Sequence, residues 1–288
     1  MHTTLISPQD LRSLLDAGTP LQVYDCSFDM ADPSLGRAMY EKRHIPGAWY
    51  ADLDHDLSAG TDLEAFCGGR HPLPTRERFA AWLGSTGLRP GTQVVVCESR
   101  GVTFCTRLWW MLKWCGHESV AVLDGGVDAW VAAGGTVVPG QPPQALDMST
   151  PYPLSAPTVT ARSAGEVARD LGSPTQILLD ARATPRFRGD VEPLDPVAGH
   201  IPGALNRPFQ DNFLPDGRFK PQAQLKEEFL GLLAGRDPAC VVHHCGSGVT
   251  ALPNLLAMEV AGLGRGTLFP GSWSEWCRTP DLPVARSS

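Results

Sequence analysis

The chain has 288 residues, of which 42% are hydrophobic and 19% charged, a composition typical of a globular protein long enough for two domains. Its formal net charge of −7 argues against a nucleic-acid partner or an anionic membrane surface, since both favour basic proteins. No apolar stretch approaches the roughly 18 residues of a membrane span. A local arginine can still bind a small anionic substrate.

The eight cysteines form no C-x-x-C pair, which argues against a structural zinc site and a thioredoxin-type redox pair. The stretch from Met1 to Thr4 lacks the basic and apolar regions of a signal peptide. A large core without disulfides predicts a reducing compartment, the cytoplasm. We expect no metal, nucleotide or organic cofactor.

Short apolar strands alternate with amphipathic helices along the chain. In the first half a helix starts at Ser7-Pro8 and ends at Gly18. The other predicted elements of this half are strands at 21–25, 93–97 and 120–123 and helices near 76–83 and 102–115. Those of the second half are strands at 177–181, 240–244 and 266–269 and helices near 163–171, 222–234 and 249–261. The alternation predicts an α/β fold in which each half forms a mostly parallel sheet with helices on both faces.

The two halves carry the same landmarks in the same order. The motif His44-Ile45-Pro46-Gly47-Ala48 recurs as His200-Ile201-Pro202-Gly203-Ala204, and Gly101-Val102-Thr103 recurs as Gly248-Val249-Thr250. So long a period indicates a duplicated domain rather than a solenoid. A proline-dense stretch separates the copies. The predicted organisation is an N-terminal domain at 1–140, a linker at 141–157 and a C-terminal domain at 158–288.

Cys245 follows the apolar run 240–244 and precedes apolar residues at helical spacing, so it lies on a strand-to-helix turn. Ligands bind at this edge of parallel sheets. Converging backbone N–H groups and the helix dipole there stabilise a thiolate, the nucleophilic form of cysteine. An ordinary buried thiol is the alternative. His243 and His244 adjoin Cys245, but neighbouring strand residues point to opposite faces, which disfavours a shared metal ion.

Alignment of the Gly-Val-Thr triplets places Glu98 opposite Cys245. Glu98 cannot form a thiol adduct. We therefore expect the N-terminal half to be catalytically silent and to contribute walls to a shared cleft. Because His44 and His200 occur in both the silent and the active half, they are expected to be structural.

Together these motifs resemble the tandem-domain rhodanese-like sulfurtransferases over essentially the whole chain. The loop from Cys245 to Thr250 is similar to that of the 3-mercaptopyruvate branch, and the stretch from Gly271 to Trp276 also fits the family. The resemblance implies that Cys245 takes a sulfur atom from an anionic donor as a persulfide, while pyruvate or sulfite leaves. Cyanide, a small thiol or a thioredoxin-like protein then accepts the sulfur. The backbone amides of Gly246, Gly248, Val249 and Thr250 would bind the anionic sulfur.

The resemblance also assigns supporting residues. Arg186 matches the arginine that holds the donor's carboxylate, whose two oxygens suit a guanidinium. Arg188 would share that face only in an extended segment. Ser247 matches a serine that acts with a histidine and an aspartate, here His71 and Asp54, in a proton relay. The alternatives are surface arginines and a serine that only orients the loop.

Asp180 and Arg182 match the family's Asp-x-Arg pair, which implies an ion pair that braces the active-site loop. A second substrate arginine expected downstream of Arg186 is missing, because the stretch 191–196 contains none. Thiosulfate would favour positive charge beside the cysteine, and Gly246 and Ser247 supply none.

The missing arginine counts against 3-mercaptopyruvate, and charge alone excludes neither donor, but the resemblance of the loop from Cys245 to Thr250 makes 3-mercaptopyruvate the predicted donor. A thiosulfate:cyanide sulfurtransferase and a persulfide carrier to a protein partner are the alternatives. A cysteine phosphatase would need an arginine at position 251, which is Ala251.

Overall fold

A computed structural model describes residues 1–60, 64–145 and 150–287, and the chain divides into two units. Unit 1 consists of Met1–Asp62, Pro74–Thr158 and Leu214–Phe219. Unit 2 consists of Leu63–Leu73, Val159–Phe213 and Lys220–Ser288. Each half of the sequence therefore contributes one short segment to the unit built mainly from the other half.

Unit 1 is a parallel sheet flanked by helices. Its strands are β1 (Leu5–Ile6), β2 (Leu21–Asp25), β3 (Trp49–Tyr50), β4 (Gln93–Cys97) and β5 (Val120–Leu123). Its helices are α1 (Pro8–Asp16), α2 (Ser34–Lys42), α3 (Arg76–Ser85), α4 (Cys105–Trp114) and α5 (Gly126–Ala132). The strand order is β1-β5-β4-β2-β3, and every pairing is parallel.

Unit 2 repeats this architecture. Its strands are β6 (Thr160–Ala161), β7 (Ile177–Asp180), β8 (Leu205–Asn206), β9 (Val241–His244) and β10 (Thr267–Leu268). Its helices are α6 (Ala164–Arg169), α7 (Thr184–Arg188), α8 (Gln222–Leu233), α9 (Leu252–Val260) and α10 (Ser272–Trp276), with short 3₁₀ turns at Phe209–Asn212 and Pro238–Cys240. The order β6-β10-β9-β7-β8, again all parallel, matches that of unit 1. The predicted duplication and α/β fold are confirmed.

The strands predicted in the first half match β2, β4 and β5, because buried parallel strands are continuous apolar runs. The helices predicted from 102 and 249 start later, at Cys105 and Leu252. In both halves the apolar spacing continues through a loop that precedes the helix. The two-residue strands β1, β3, β6 and β8 were not predicted, since they are too short to show a period.

The predicted linker at 141–157 contains residues 146–149, which lie outside the described residues. Its last part packs on unit 1. Tyr152 is buried, its backbone N–H donates to the Ala80 carbonyl (2.8 Å), and its hydroxyl lies 2.9 Å from His117 Nδ1. Among the helices that the structure describes, none is long and apolar enough to cross a membrane.

The repeated histidines have equivalent structural roles. His44 Nδ1 lies 2.9 Å from the Tyr40 carbonyl and its ring stacks on Tyr40 at 4.0 Å. His200 Nδ1 lies 2.8 Å from the Phe187 carbonyl and its ring stacks on Phe187 at 4.0 Å. Both are buried. The expectation that these histidines are structural is confirmed.

The two histidines of β9 are fully buried. Neither ring nitrogen of His243 has a hydrogen-bond partner among the described residues. Burial, together with the neighbouring His244, lowers the pKa of His243 to about 3. Burial also lowers the pKa of His244 to about 4, opposed by Asp180. In the part of the chain that the structure describes, no group of three or more His, Cys, Asp or Glu side chains is placed to hold a metal ion.

These depressed pKa values predict a loss of stability in acid. Below pH 6.5 His243 is protonated in the unfolded chain, whereas in the folded chain it stays neutral down to about pH 3. The unfolded state therefore binds more protons, and the free energy of unfolding decreases as the pH is lowered. His243→Leu removes this difference. Relative to wild type, the variant should gain about 2 kcal/mol of unfolding free energy between about pH 7.5 and pH 5, measured by urea denaturation. His55→Leu, at an exposed histidine, is the control, and a pH-independent gain for His243→Leu contradicts the prediction.

Candidate active site

Backbone hydrogen bonds fix Cys245 at the carboxyl end of β9. Its N–H donates to Ser272 Oγ (3.1 Å), and its carbonyl accepts from the Trp273 N–H (3.0 Å). The next carbonyl, that of Gly246, accepts from the Ser274 N–H (2.9 Å). Cys245 is only 1% exposed. The predicted strand-to-helix position of the cysteine is confirmed. Hydrogen bonds from the segment 272–274 fix the backbone of Cys245 and Gly246.

The loop after Cys245 presents free backbone donors. None of the described residues accepts a hydrogen bond from the backbone N–H of Gly246, Val249 or Thr250. Gly246 and Val249 are buried, where an unpaired N–H is costly. An anion bound in the loop would satisfy these donors.

The matching loop of unit 1 carries its own anion. The Glu98 carboxylate accepts hydrogen bonds from the backbone N–H groups of Thr103 (2.8 Å), Phe104 (2.6 Å) and Cys105 (2.9 Å). Glu98 is 2% exposed. Burial raises the pKa of its carboxyl to about 7, although the three N–H donors oppose the rise. The repeat thus shows that this type of loop accommodates an anionic group, and that in unit 1 the position is filled.

Unit 2 brings Ser247 and His71 together, because the segment Leu63–Leu73 belongs to that unit. His71 Nδ1 lies 2.8 Å from Ser247 Oγ, and both residues are buried. Asp54 belongs to unit 1. It is partly buried in the turn after β3, where its backbone N–H donates to Asp52 Oδ1 (2.8 Å).

The expected ion pair below the loop is confirmed. Arg182 donates to both carboxylate oxygens of Asp180, at 2.7 Å from Nη2 to Oδ2 and 3.2 Å from Nε to Oδ1. Its guanidinium also lies 4.7 Å from the ring centre of Trp273. Burial opposes the charge of Arg182, but Asp180 raises the pKa of the guanidinium. Burial likewise opposes ionisation of Asp180, but His244 and Arg182 lower the pKa of the carboxyl.

Arg186 reaches the cysteine loop, whereas Arg188 does not share its position. Arg186 Nη1 lies 3.5 Å from the point where a side chain on Gly246 would begin, and Nη2 pairs with Glu192 Oε1 (2.7 Å). Both arginines lie on α7, where residues two apart differ by about 200° around the axis. Arg188 is accordingly exposed. The segment is helical and not extended, so Arg188 does not share the face of Arg186.

Sequence reasoning missed several residues that shape this site. Arg70 Nη2 lies 2.8 Å from the same point at Gly246, and its only sequence signal was its place beside His71. The roles of Ser272 and Ser274 depend on backbone bonds between distant segments, which no spacing reveals.

Two parallel α/β units, the second with a buried cysteine on a loop of unpaired backbone donors, define a tandem-domain α/β protein. The chain belongs to the family described by the rhodanese-like domain, whose model matches residues 7–133 and 163–279. The predicted resemblance is therefore confirmed.

Relatives cover almost the whole chain. A protein of Pseudomonas aeruginosa named probable 3-mercaptopyruvate sulfurtransferase is 45% identical over 282 residues, which are 98% of this chain and 97% of the relative. A protein of Mycobacterium tuberculosis provisionally named thiosulfate sulfurtransferase SseB is 39% identical over 292 residues, with 99% and 97% covered. The structure of 3-mercaptopyruvate sulfurtransferase from Leishmania major superimposes with a TM-score of 0.82 at 27% identity, covering 97% of this chain and 76% of that one.

Gly248 offers a test of the loop geometry. Its φ of 75° favours glycine, and a Cβ there would collide with the Pro270 carbonyl. Gly248→Ala should lower the unfolding free energy by about 3 kcal/mol, from backbone strain and overpacking together, in urea denaturation. Gly264→Ala is the matched control, since its φ is 86° and no described heavy atom lies within 4 Å of the Cβ position. It should cost about 1 kcal/mol, and equal losses would contradict the predicted close approach.

Proposed function

We propose that the protein is a sulfurtransferase that moves a sulfane sulfur from 3-mercaptopyruvate to a thiol or cyanide acceptor through a persulfide on Cys245. The carrying observation is a buried cysteine on a loop with free backbone donors, beside the Arg186 guanidinium. The name of the Pseudomonas aeruginosa relative, which is 45% identical over almost the entire chain, supports this donor.

In the first half-reaction the Cys245 thiolate attacks the sulfur atom of 3-mercaptopyruvate. The S–S bond forms as the C–S bond breaks, and the electron pair of the C–S bond leaves with the carbon as the enolate of pyruvate. Protonation at that carbon gives pyruvate. Arg186 would bind the donor's carboxylate, and the amides of Gly246, Gly248, Val249 and Thr250 would stabilise the anionic sulfur before and after transfer.

We propose that Ser247 delivers this proton. Its hydroxyl lies 2.8 Å from His71 Nδ1, so a proton given up by Ser247 can be replaced from the imidazole. Asp54 stays a proposed third member of this relay, supported by the family resemblance.

In the second half-reaction an acceptor attacks the outer sulfur of the persulfide and the Cys245 thiolate is the leaving group. Cyanide gives thiocyanate, and a thiolate gives a new persulfide. We propose cyanide, a small thiol or a thioredoxin-like protein thiol as acceptors. A chain that loads sulfur but turns over poorly with small acceptors would instead be a persulfide carrier to a protein partner.

Thiosulfate is the second candidate donor. The name of the Mycobacterium tuberculosis relative favours it, and so does the positive charge of Arg70 and Arg186 at Gly246. With this donor the thiolate attacks the outer sulfur, the S–S bond of thiosulfate breaks, and sulfite leaves with the electron pair. No carbon then needs a proton.

The chemistry is assigned to the C-terminal domain at 158–288, and the N-terminal domain at 1–140 is proposed to be silent. The Glu98 carboxylate supports this division because it fills the loop of unit 1. We also propose a reducing compartment, the cytoplasm. Cys26, Cys97, Cys105, Cys115 and Cys245 are buried as free thiols, which is consistent with such a compartment.

Intact-mass measurements test the nucleophile. Wild type incubated with 3-mercaptopyruvate should gain one sulfur atom, and Cys245→Ser should gain none, because serine cannot form a persulfide. Cys240→Ser, five residues upstream and partly exposed, is the matched control and should load like wild type. A Cys245→Ser protein that still gains sulfur contradicts the mechanism, and faster loading from thiosulfate favours the second donor.

Ser247→Ala tests the relay through the difference between donors. Loss of a general acid should lower kcat with 3-mercaptopyruvate by about 100-fold, because the leaving enolate needs a proton. The rate with thiosulfate should fall far less, since sulfite leaves without protonation at carbon. His71→Gln should show the same pattern in steady-state assays. An equal loss with both donors would mean that Ser247 only orients the loop.

A further inference from the structure

The stretch 191–196 lacks an arginine, but its buried carboxylate, that of Asp195, forms ion pairs with arginines from other segments. The Asp195 side chain is 0% exposed. It pairs with Arg70 through Nη1, with Arg186 at 3.5 Å and with Arg278 at 3.1 Å. A buried carboxylate needs such partners, since an isolated charge in the interior is costly. Asp195 therefore anchors Arg70 beside the stretch 191–196, which contains no arginine of its own.

The backbone of Arg70 is fastened to the segment that holds Cys245. The Arg70 N–H donates to Ser274 Oγ (3.0 Å), while the N–H of Ser274 donates to the Gly246 carbonyl (2.9 Å). The preceding Gly69 has a φ of 95°, and a Cβ there would lie 2.7 Å from Ser274 Oγ. A single residue, Ser274, thus fixes Arg70 relative to the cysteine loop.

The two terminal nitrogens of the Arg70 guanidinium face different neighbours. Nη1 pairs with Asp195, whereas Nη2 lies 2.8 Å from the point where a side chain on Gly246 would begin. Arg186 approaches the same point at 3.5 Å and 3.6 Å. Because residue 246 is glycine, two guanidinium groups converge in space that a side chain would occupy, one residue after the nucleophile.

The local charge also favours an anion. Among the described residues, the ion pairs of Arg70, Arg186 and Arg278 involve the carboxylates of Glu192 and Asp195, and Glu192 also pairs with Arg182. Arg182 in turn pairs with Asp180, so these ion pairs join four guanidinium groups to three carboxylates, an excess of one positive charge. The side chains of Arg70 and Arg186 are 22% and 18% exposed, so both are partly desolvated yet open to a ligand, and a charge-assisted bond there is strong.

We propose that Arg70 is the second donor-binding arginine, which with Arg186 holds the carboxylate of the sulfur donor. This assignment rests on the proposed sulfurtransferase function for the identity of the ligand. A guanidinium from the segment Leu63–Leu73 thereby replaces the arginine missing after Arg186. Arg70 acts on substrate binding, so its loss raises KM more than it lowers kcat.

The experiment compares wild type, Arg70→Met and Arg265→Met. Methionine keeps much of the length and removes the charge, and Asp195 retains Arg186 and Arg278 as partners. Arg265 is the matched control, because its side chain is partly exposed and paired with Glu259 (3.2 Å). It precedes β10 and so lies at the amino ends of the parallel strands, whereas Cys245 lies at their carboxyl ends. With 3-mercaptopyruvate, Arg70→Met should raise KM at least about tenfold with kcat within about threefold of wild type, and Arg265→Met should match wild type.

A second readout does not depend on sulfur transfer. Iodoacetate and iodoacetamide alkylate thiolates alike, with iodide leaving, but only iodoacetate carries a carboxylate. The ratio of their rates at Cys245, followed by peptide mass spectrometry, should fall at least about fivefold in Arg70→Met through loss of the anion contact. Both reagents need the same thiolate, so the ratio of their rates cancels any change that the variant causes in the thiolate itself.

The outcomes separate the two proposals. A lower alkylation ratio in Arg70→Met supports the anion site even if wild type transfers no sulfur, in which case the proposed function fails alone. An unchanged ratio and an unchanged KM overturn the role of Arg70 while leaving the sulfurtransferase proposal standing. An equal fall of the ratio in Arg265→Met also overturns it, because the effect would then come from overall charge.

Discussion

The hydrogen bonds between the cysteine loop and the segment 272–274 set the position of Cys245, and through Ser274 that of the Arg70 backbone as well. Ser272 and Trp273 fix the nucleophile itself. Ser274 fixes Gly246 on one side and the backbone of Arg70 on the other. The Arg182 guanidinium stacks on Trp273 while paired with Asp180, so the base of the loop is braced by the same segment. The site is therefore preorganised by the backbone, with little left to side-chain rotamers.

The loops that follow Glu98 and Cys245 differ in how their backbone N–H groups are satisfied. A loop of backbone donors ahead of a helix needs a negative group. In unit 1 the buried Glu98 carboxyl takes that place and accepts three backbone hydrogen bonds from its own loop. In unit 2 a small thiol takes that position, and the free donors of Gly246, Val249 and Thr250 remain for the thiolate and the sulfur it carries. The matched positions therefore differ in what they offer: Glu98 satisfies backbone donors of its own loop, whereas the loop of Cys245 keeps backbone donors that no described residue satisfies.

Sequence patterns revealed the parts of the molecule that depend on local periodicity. The strands around Val23 and Val95 are buried on both faces, and their apolar runs were sufficient to locate them. The position of Cys245 followed from the strand before it and the helix after it. Arg188 could not be placed in advance, because the five residues of α7 are too few to distinguish a helix from an extended segment. The ion pair between Arg70 and Asp195 could not be predicted for a different reason. It forms only because a segment of the first half belongs to unit 2.

That exchange of segments bears on how the two copies are inherited. The second half of the gene encodes Cys245 but neither His71 nor Arg70, which come from the first half. In return, the stretch Leu214–Phe219 belongs to unit 1, where the Phe219 N–H donates to Asp124 Oδ1 (2.9 Å). A deletion that removed the first half would therefore strip unit 2 of His71 and Arg70. The unit that carries Cys245 depends in this way on the other half of the chain, and the duplication cannot be undone by losing one half.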